Sequence, residues 1–343
     1  MFKIRGLLRE NIASLLPYSS ARDEFSGIDG IFLDANENPF GEWNRYPDPY
    51  QKELKQKLSE LKNINQNNIF IGNGSDEIID LAFRIFCNPK QDKALTFSPT
   101  YGMYDVSAGI NDVELIKVPL TADFQIDIQL LKEPLKDDGV KLIFICSPNN
   151  PTGNTIDKIV VEEILKKFEG IVIIDEAYID FSELPSWIET LNEYPNLIVS
   201  QTFSKAWGLA SARVGVCYAS EEIIEILNKV KPPYNVSGLN QKAAIESLEN
   251  YEDFQKNVQI IIFEREKLKD ELSKIDLVKM IYPSEANFLL IEMINATKVY
   301  EALVDMKIIT RNRATLVANC LRISVGTPAE NKQLLQALKR ITV

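Results

Sequence analysis

The chain of 343 residues contains no histidine, and this absence removes several kinds of active site. A Ser-His-Asp triad, a Cys-His pair and zinc held by imidazole cannot be built from its residues. Proton transfer near neutral pH must therefore be carried out by lysine, tyrosine, aspartate, glutamate or a bound cofactor.

Cysteines are few, and long apolar runs are missing. The four cysteines lie far apart and form no C-x-x-C pair, so we expect reduced core residues and no metal site. No apolar run has the length of a membrane span, and the charged first residues lead into no signal-peptide core. We therefore expect a cytoplasmic protein that has no membrane partner.

Positive charge is also in deficit, because 38 lysine and arginine residues face 49 aspartate and glutamate residues, a net charge of −11. This balance argues against nucleic acid as a partner. Any anionic ligand must be held by a local group of cations that acts against the overall negative field.

The length of the chain favours two domains, since one hydrophobic core seldom grows to this size. Apolar, β-branched runs alternate with helical stretches, which indicates an α/β domain with a mostly parallel sheet between helices. We place this large domain at residues 29–236, after an N-terminal arm at residues 1–28. A long amphipathic helix and short strands then predict a smaller α+β domain at residues 237–343.

A first anion-binding pattern follows the predicted strand at residues 69–71. The strand leads into Gly72-Asn73-Gly74-Ser75 and then into a helix, and the free N–H groups of a helix start bind anions well. The third glycine of a dinucleotide fingerprint is missing, and no Gly-Lys-Ser/Thr follows as in a P-loop.

A second pattern surrounds Lys205, which follows the apolar strand predicted at residues 196–199. The lysine can condense with a carbonyl group as a Schiff base, while Thr202, Ser204 and Arg213 supply hydroxyls and a guanidinium for a phosphate. These groups suit a phosphorylated aldehyde. Taken alone, the same residues are equally typical of a solvated loop end.

Three further polar residues follow other predicted strands. Asn150, Asp175 and Tyr178 lie at or just past carboxyl ends, which meet at one edge of a parallel sheet together with Lys205 and Arg213. Asp175 could keep the nitrogen of a bound pyridine ring protonated, and the other two could hydrogen-bond its phenolic oxygen. Alternatively, Asp175 is a helix cap and Tyr178 a buried aromatic residue.

Together these motifs resemble those of the fold-type I aminotransferases that depend on pyridoxal 5′-phosphate, and most closely those of the histidinol-phosphate aminotransferase family. Each motif is weak alone, but their joint order and spacing are highly specific. The resemblance runs nearly end to end, through residues 33–39, 45–47, 74–77, 99–104, 147–153, 175–178, 202–215 and 321–326.

The resemblance implies a role for each matching residue. Lys205 would form the Schiff base and move protons, with Asp175 and Tyr178 as the other catalytic residues, and Tyr101 would stack on the cofactor ring. The residues implied to bind the cofactor phosphate are Ser75 and Asp76 through their N–H groups, Thr202, Ser204, Arg213, and Tyr46 from a second subunit.

The resemblance also implies a substrate site and a homodimer. Arg322 would grip the carboxylate of an amino donor, and Tyr18 and Arg311 would contact a substrate phosphate, although Arg311 could instead belong to a solvated turn. Asn36 and Asn150 would complete the substrate site.

The implied reaction is transamination between L-histidinol phosphate and 2-oxoglutarate, giving imidazole acetol phosphate and glutamate in histidine biosynthesis. Alternatives on the same scaffold are an aromatic amino-acid aminotransferase and a phospho-amino-acid decarboxylase. A regulator that binds the cofactor, or a non-catalytic scaffold protein, is the alternative outside the enzymes.

Overall fold

The computed structural model describes residues 4–17 and 30–342, and two β-sheets organise this part of the chain. The larger sheet contains β1 (Ile69–Asn73), β2 (Lys93–Ser98), β3 (Glu114–Pro119), β4 (Val140–Cys146), β5 (Ile171–Asp175), β6 (Leu197–Thr202) and β7 (Val214–Ala219). The helices before and around it are α1 (Glu10–Ala13), α2 (Lys52–Lys62), α3 (Ser75–Phe86), α4 (Met103–Ile110), α5 (Lys158–Lys167), α6 (Glu221–Val230) and α7 (Gly238–Glu249).

The larger sheet is mostly parallel, as predicted, with the order β1-β7-β6-β5-β4-β2-β3. Strands β3, β2, β4, β5 and β6 run parallel, whereas β7 is antiparallel to both of its neighbours, β6 and β1. Every side chain of β5 is buried, and alternate residues pack in the cores on the two faces of the sheet. Val172 and Ile174 belong to one core, and Ile171 and Ile173 belong to the other.

Helices cover both faces of this sheet. Apolar residues of α2, α5 and α7 pack on one face, and those of α3, α4 and α6 pack on the other. Helix α7 begins just past the predicted boundary between residues 236 and 237, and its Ala244 and Leu248 pack in a core of the larger sheet. The bounds of the three predicted units stay predictions.

The second sheet lies further along the chain and is antiparallel, with the order β10-β11-β9-β8. After the long helix α8 (Tyr251–Leu272), this region contains β8 (Val278–Ile281), β9 (Phe288–Met293), α9 (Ala296–Asp305), β10 (Arg311–Asn312), β11 (Cys320–Ser324) and α10 (Pro328–Leu338). Its core joins the sheet to α8, α9 and α10 through residues such as Leu268, Val299 and Leu334. The predicted α/β fold with a smaller α+β unit is confirmed.

Polar contacts hold the small sheet over the strand ends of the large one. A guanidinium nitrogen of Arg265 donates to the carbonyl oxygens of Phe181, at 3.3 Å, and Ala286, at 3.1 Å. The Glu285 carboxylate accepts hydrogen bonds from Thr155, at 3.1 Å, and from Ser182. Among the helices described, none combines the length and the apolar character needed to cross a membrane.

Candidate active site

A cavity of about 390 Å³ lies between the carboxyl ends of the parallel strands and the small sheet. Most of the residues singled out from the sequence line it. They are Ser75, Asp76, Tyr101, Asn150, Asp175, Tyr178, Thr202, Ser204, Lys205, Arg213, Arg311 and Arg322. The predicted convergence of strand-end residues is therefore present in the fold, while the individual role of each residue stays a prediction.

Two other predicted residues, Tyr46 and Asn36, do not line this cavity. Tyr46 stacks on Tyr234, with 4.4 Å between ring centroids, and its side chain is half exposed. Asn36 is exposed and adopts a positive φ of 55°. Tyr18 lies outside the described residues.

Lys205 lies three residues past the end of β6, on the loop that leaves the buried strand. Its Nζ is 5.8 Å from the centroid of the Tyr178 ring, and the described part of the chain offers it no hydrogen bond or ion pair. Burial in the cavity lowers the pKa of Lys205, and Arg322 lowers it further, while Asp175 raises it. The amine is thus shifted toward the neutral, nucleophilic form.

Asp175 is the last residue of β5, and its side chain is buried. One carboxylate oxygen accepts a hydrogen bond of 2.9 Å from the Tyr104 hydroxyl, and the other accepts one of 3.2 Å from the Ala177 N–H. Burial raises the pKa of Asp175 to about 6, and the hydrogen bond from Tyr104 partly offsets this rise. Within the described ranges no cation lies at ion-pair distance, so a positively charged ring nitrogen would supply the missing partner.

The anion cradle forms where α3 begins beside the Arg213 guanidinium. Gly74 precedes the helix with φ 78° and offers no side-chain cap, and Ser75 and Asp76 of the first turn line the cavity. A Cβ on Gly74 would lie 2.6 Å from Arg213, and one on Gly215 would lie 2.4 Å from the Ser75 nitrogen. Only glycine allows these close approaches, so the cradle depends on both positions.

Arg213 and its neighbours complete the cradle. Its guanidinium donates to Ser204 Oγ at 3.4 Å and pairs with Asp76 at 3.3 Å. Tyr101 donates its hydroxyl proton to the other oxygen of Asp76 at 3.1 Å. Hydroxyl, guanidinium and helix N–H groups together form a donor set that suits a phosphate monoester.

Asn150 connects the two halves of the cavity. Its amide nitrogen donates to the Tyr178 hydroxyl at 3.3 Å, and its amide oxygen accepts a 2.5 Å hydrogen bond from Arg322. Burial raises the pKa of Tyr178, so the phenol keeps its proton. Asn150 therefore orients a guanidinium of the small sheet toward the strand ends of the large one.

Arginines form the end of the cavity that faces the small sheet. Arg311 on β10 lies directly opposite Arg322 on β11, and Arg313 follows two residues later. Arg311 is in a short strand and lines the cavity, and its side chain is exposed, so its contact with a substrate phosphate stays a prediction.

Two residues of the site were missed in the sequence. Tyr104, which donates to Asp175, lies in the first turn of α4, and its ring makes an edge contact with that of Tyr101, with 5.7 Å between ring centroids. Arg313 could have been found from the alternation of a β-hairpin, which puts residues 311 and 313 on one face. No group of three or more cysteine, aspartate or glutamate side chains among the described residues is placed to hold a metal ion.

The geometry described so far, a mostly parallel sheet with a lysine, a buried aspartate and an anion cradle at its strand ends, is that of a cofactor-dependent transferase. The aminotransferase class I and II family matches residues 28–338, and the chain belongs to that family. Its curated relatives include the histidinol-phosphate aminotransferases of Cytophaga hutchinsonii and Christiangramia forsetii. Each is 51% identical to this chain; the alignments cover 98% of the chain and 99% of the relative in the first case, and 99% and 98% in the second.

A solved structure agrees with these relatives. Histidinol-phosphate aminotransferase from Sinorhizobium meliloti, in complex with pyridoxal 5′-phosphate, superposes with a TM-score of 0.79 at 26% identity, covering 89% of each chain. The resemblance inferred from the motifs is confirmed, and so is the dependence of the family on pyridoxal phosphate.

The residues of this chain fit that cofactor. Asp175 is a buried carboxylate with no ion pair among the described residues, Lys205 is an amine of lowered pKa, and Ser75 and Arg213 of the cradle line the cavity. These are the partners that the ring nitrogen, the aldehyde and the phosphate of pyridoxal phosphate require.

Proposed function

We propose that the protein transfers the amino group of L-histidinol phosphate to 2-oxoglutarate, giving imidazole acetol phosphate and L-glutamate in histidine biosynthesis. The observation that carries this proposal is that Lys205, the buried Asp175 and three arginines all line one cavity. The first two residues serve amino transfer, and the arginines serve an anionic substrate. The names of the relatives at 51% identity support the choice of that substrate.

At one end of the cavity the protein binds and orients its cofactor. When bound, pyridoxal phosphate supplies an aldehyde that accepts the amino group and a ring that withdraws electrons from the substrate carbon. Asp175 would hold the proton on the ring nitrogen, while Asn150 and Tyr178 would hydrogen-bond the phenolic oxygen. The N–H groups at the start of α3 and Arg213 would hold the phosphate.

Lys205 has two tasks. Its amine would be the group that holds the cofactor at its aldehyde and that yields this position to the amino group of the substrate. Its Nζ, whose pKa is lowered by burial, would then hold and move the proton of the substrate carbon that bears the amino group. Because one residue is both nucleophile and proton carrier, no histidine is required.

At the other end, Arg322 and Arg311 bind the anionic group of the substrate. Glutamate presents a carboxylate to Arg322, which a guanidinium can bind with two parallel hydrogen bonds. Histidinol phosphate presents its phosphate to the same residues. Both half-reactions therefore use one pocket in turn.

The working form is proposed to be a cytoplasmic homodimer. Ile31, Leu33 and Phe40 are 91%, 89% and 81% exposed, so this segment presents an apolar surface of the kind that partner subunits cover. Tyr46 and Asn36 lie near it and do not line the cavity of their own chain. In the dimer they, with Tyr18, would complete the site of the other subunit.

The test is a panel of amino donors added to the purified holoenzyme, with the visible spectrum of the cofactor as the signal. We expect histidinol phosphate and glutamate to convert the cofactor to its amine form, and 2-oxoglutarate to reverse the change. Lys205→Ala serves as the inactive control. A clear preference for phenylalanine would replace the proposal with an aromatic aminotransferase, and release of carbon dioxide from phosphothreonine would replace it with a decarboxylase.

A further inference from the structure

Three arginines line the end of the cavity that faces the small sheet, and the proposed function assigns no role to one of them, Arg313. Its backbone N–H donates to the Cys320 carbonyl at 2.9 Å, which continues the pairing of β10 with β11 by one more residue. Side chains two positions apart in a strand share a face, so Arg311 and Arg313 point the same way. Together with Arg322 they line the cavity, and we call these residues the arginine triad.

The triad is electrostatically costly as it stands. Like charges that lie directly opposite on paired strands repel each other, as Arg311 and Arg322 do here. In the described residues no carboxylate forms an ion pair with any member of the triad. The pKa of Arg313 is lowered by burial and then by Arg322 and Arg311.

Some hydrogen-bond donors of the triad are buried without an acceptor in the described part of the chain. The Nε atoms of Arg313 and Arg322 are buried and have no hydrogen-bond partner among the described residues. A buried charged donor without an acceptor is unfavourable unless a ligand supplies the acceptor. The backbone of Arg313, rather than its side chain, makes the contacts that shape the hairpin, including those that its carbonyl accepts from Leu316 and Val317.

The number of donors exceeds what a carboxylate can use. One guanidinium fork satisfies both oxygens of a carboxylate, whereas a phosphate monoester offers three oxygens and close to two negative charges near neutral pH. Arg322 alone is sufficient for a carboxylate. A second and a third arginine can contribute to binding only if the bound group is a dianion such as a phosphate monoester.

We propose that Arg313 is a specificity residue that binds the phosphate of the substrate and has little part in binding monocarboxylate donors. This inference rests on the proposed function, since it names a further residue for the same substrate pocket. It predicts that loss of Arg313 changes the choice between substrates more than it changes the chemistry.

The experiment compares Arg313→Gln, Arg313→Lys and wild-type holoenzyme in separate half-reactions with histidinol phosphate, glutamate and phenylalanine. Hydrogen bonds to charged groups imply a loss on the order of tenfold to a hundredfold in kcat/KM for histidinol phosphate in Arg313→Gln, with less than about threefold for phenylalanine. Arg313→Lys should recover part of the loss, because it keeps the charge without the planar fork. Arg340→Gln removes one charge from an exposed position outside the cavity and is the matched control.

A second measurement does not depend on turnover. In the holoenzyme the cofactor phosphate fills the cradle at the start of α3. A rise of Tm produced by inorganic phosphate therefore measures binding of phosphate at the triad. We expect this rise in wild type and Arg340→Gln, and a clearly smaller rise in Arg313→Gln.

The outcomes separate the inference from the function on which it rests. If wild type does not react with histidinol phosphate, the proposed function fails. If wild type reacts and Arg313→Gln loses equally with all three donors, or loses most with glutamate, the role of Arg313 in selecting phosphate is refuted. An equal rise of Tm in wild type and Arg313→Gln would refute it as well.

Discussion

Replacement of Asp175 by asparagine should change stability and activity in opposite directions. The pKa of this carboxyl rises from 3.8 to about 6 on folding, because burial disfavours its charged form. A shift of about two units corresponds to roughly 3 kcal/mol against the ionised form in the cofactor-free protein. The folded carboxyl keeps its proton to a higher pH than the unfolded one, so the free energy of unfolding falls as pH rises from about 4 to 6 and stays low above that range.

Asparagine cannot ionise, so Asp175→Asn removes this cost. The substitution also removes one hydrogen bond. The asparagine oxygen can accept from either Ala177 or Tyr104, but the amide nitrogen then faces the other donor and cannot accept from it. We take that loss as about 1 kcal/mol. The cofactor-free variant should therefore be more stable than wild type by about 1–2 kcal/mol at pH 7.5 and slightly less stable at pH 4.

The assay is urea unfolding of cofactor-free wild type and Asp175→Asn at both pH values. The exposed Asp138 supplies the control, since Asp138→Asn makes the same change in charge and should leave stability within about 0.5 kcal/mol. The holoenzyme form of Asp175→Asn should keep its cofactor and lose most transamination, since an amide cannot hold the proton on the ring nitrogen. If the variant is destabilised equally at pH 4 and pH 7.5, the buried charge is not the source of the cost and the reasoning is wrong.

Other expectations concern the remaining parts of the site. Lys205→Ala should bind the cofactor weakly and lose transamination by orders of magnitude, measured as single turnover; an active variant would remove the lysine from its role. Tyr46→Phe subunits mixed with Lys205→Ala subunits should recover activity in hybrid dimers, and no recovery despite confirmed exchange would argue against shared sites. Arg311→Ala should lower kcat/KM for histidinol phosphate about tenfold to a hundredfold and that for glutamate less, whereas equal losses would place Arg311 outside the phosphate site. Gly215→Ala should weaken cofactor binding, since its Cβ would lie 2.4 Å from the Ser75 nitrogen; unchanged affinity in a titration would show that the cradle can widen.

Much of this site could be predicted because local sequence determines where a strand ends. Apolar runs that stop at a polar residue placed Asp175 and Lys205 at the same edge of the sheet, and glycines marked the start of α3. Since carboxyl ends of parallel strands meet, no knowledge of the strand order was needed to bring these residues together.

What could not be predicted depends on contacts between distant segments. Strand β7 is apolar like its neighbours, and nothing in its composition indicates that it runs antiparallel between β1 and β6. The tie between Tyr104 and Asp175 joins residues 71 positions apart, so it follows only from the packing of α4 on the sheet. To predict that Arg313 lines the cavity, one would need the register of the hairpin, and the sequence of a two-residue strand such as β10 gives little indication of it.

The two ends of the cavity come from structural units with different freedom to change in evolution. Lys205 and Asp175 follow interior strands, where substitutions disturb neighbours on both sides and on both faces. Arg311 belongs to β10, the edge strand of the small sheet in the described part of the chain, and Arg313 directly follows that strand. If these arginines bind the substrate anion as proposed, mutations in this hairpin can alter the anion that is recognised at little cost to folding, while the chemistry of amino transfer is inherited unchanged.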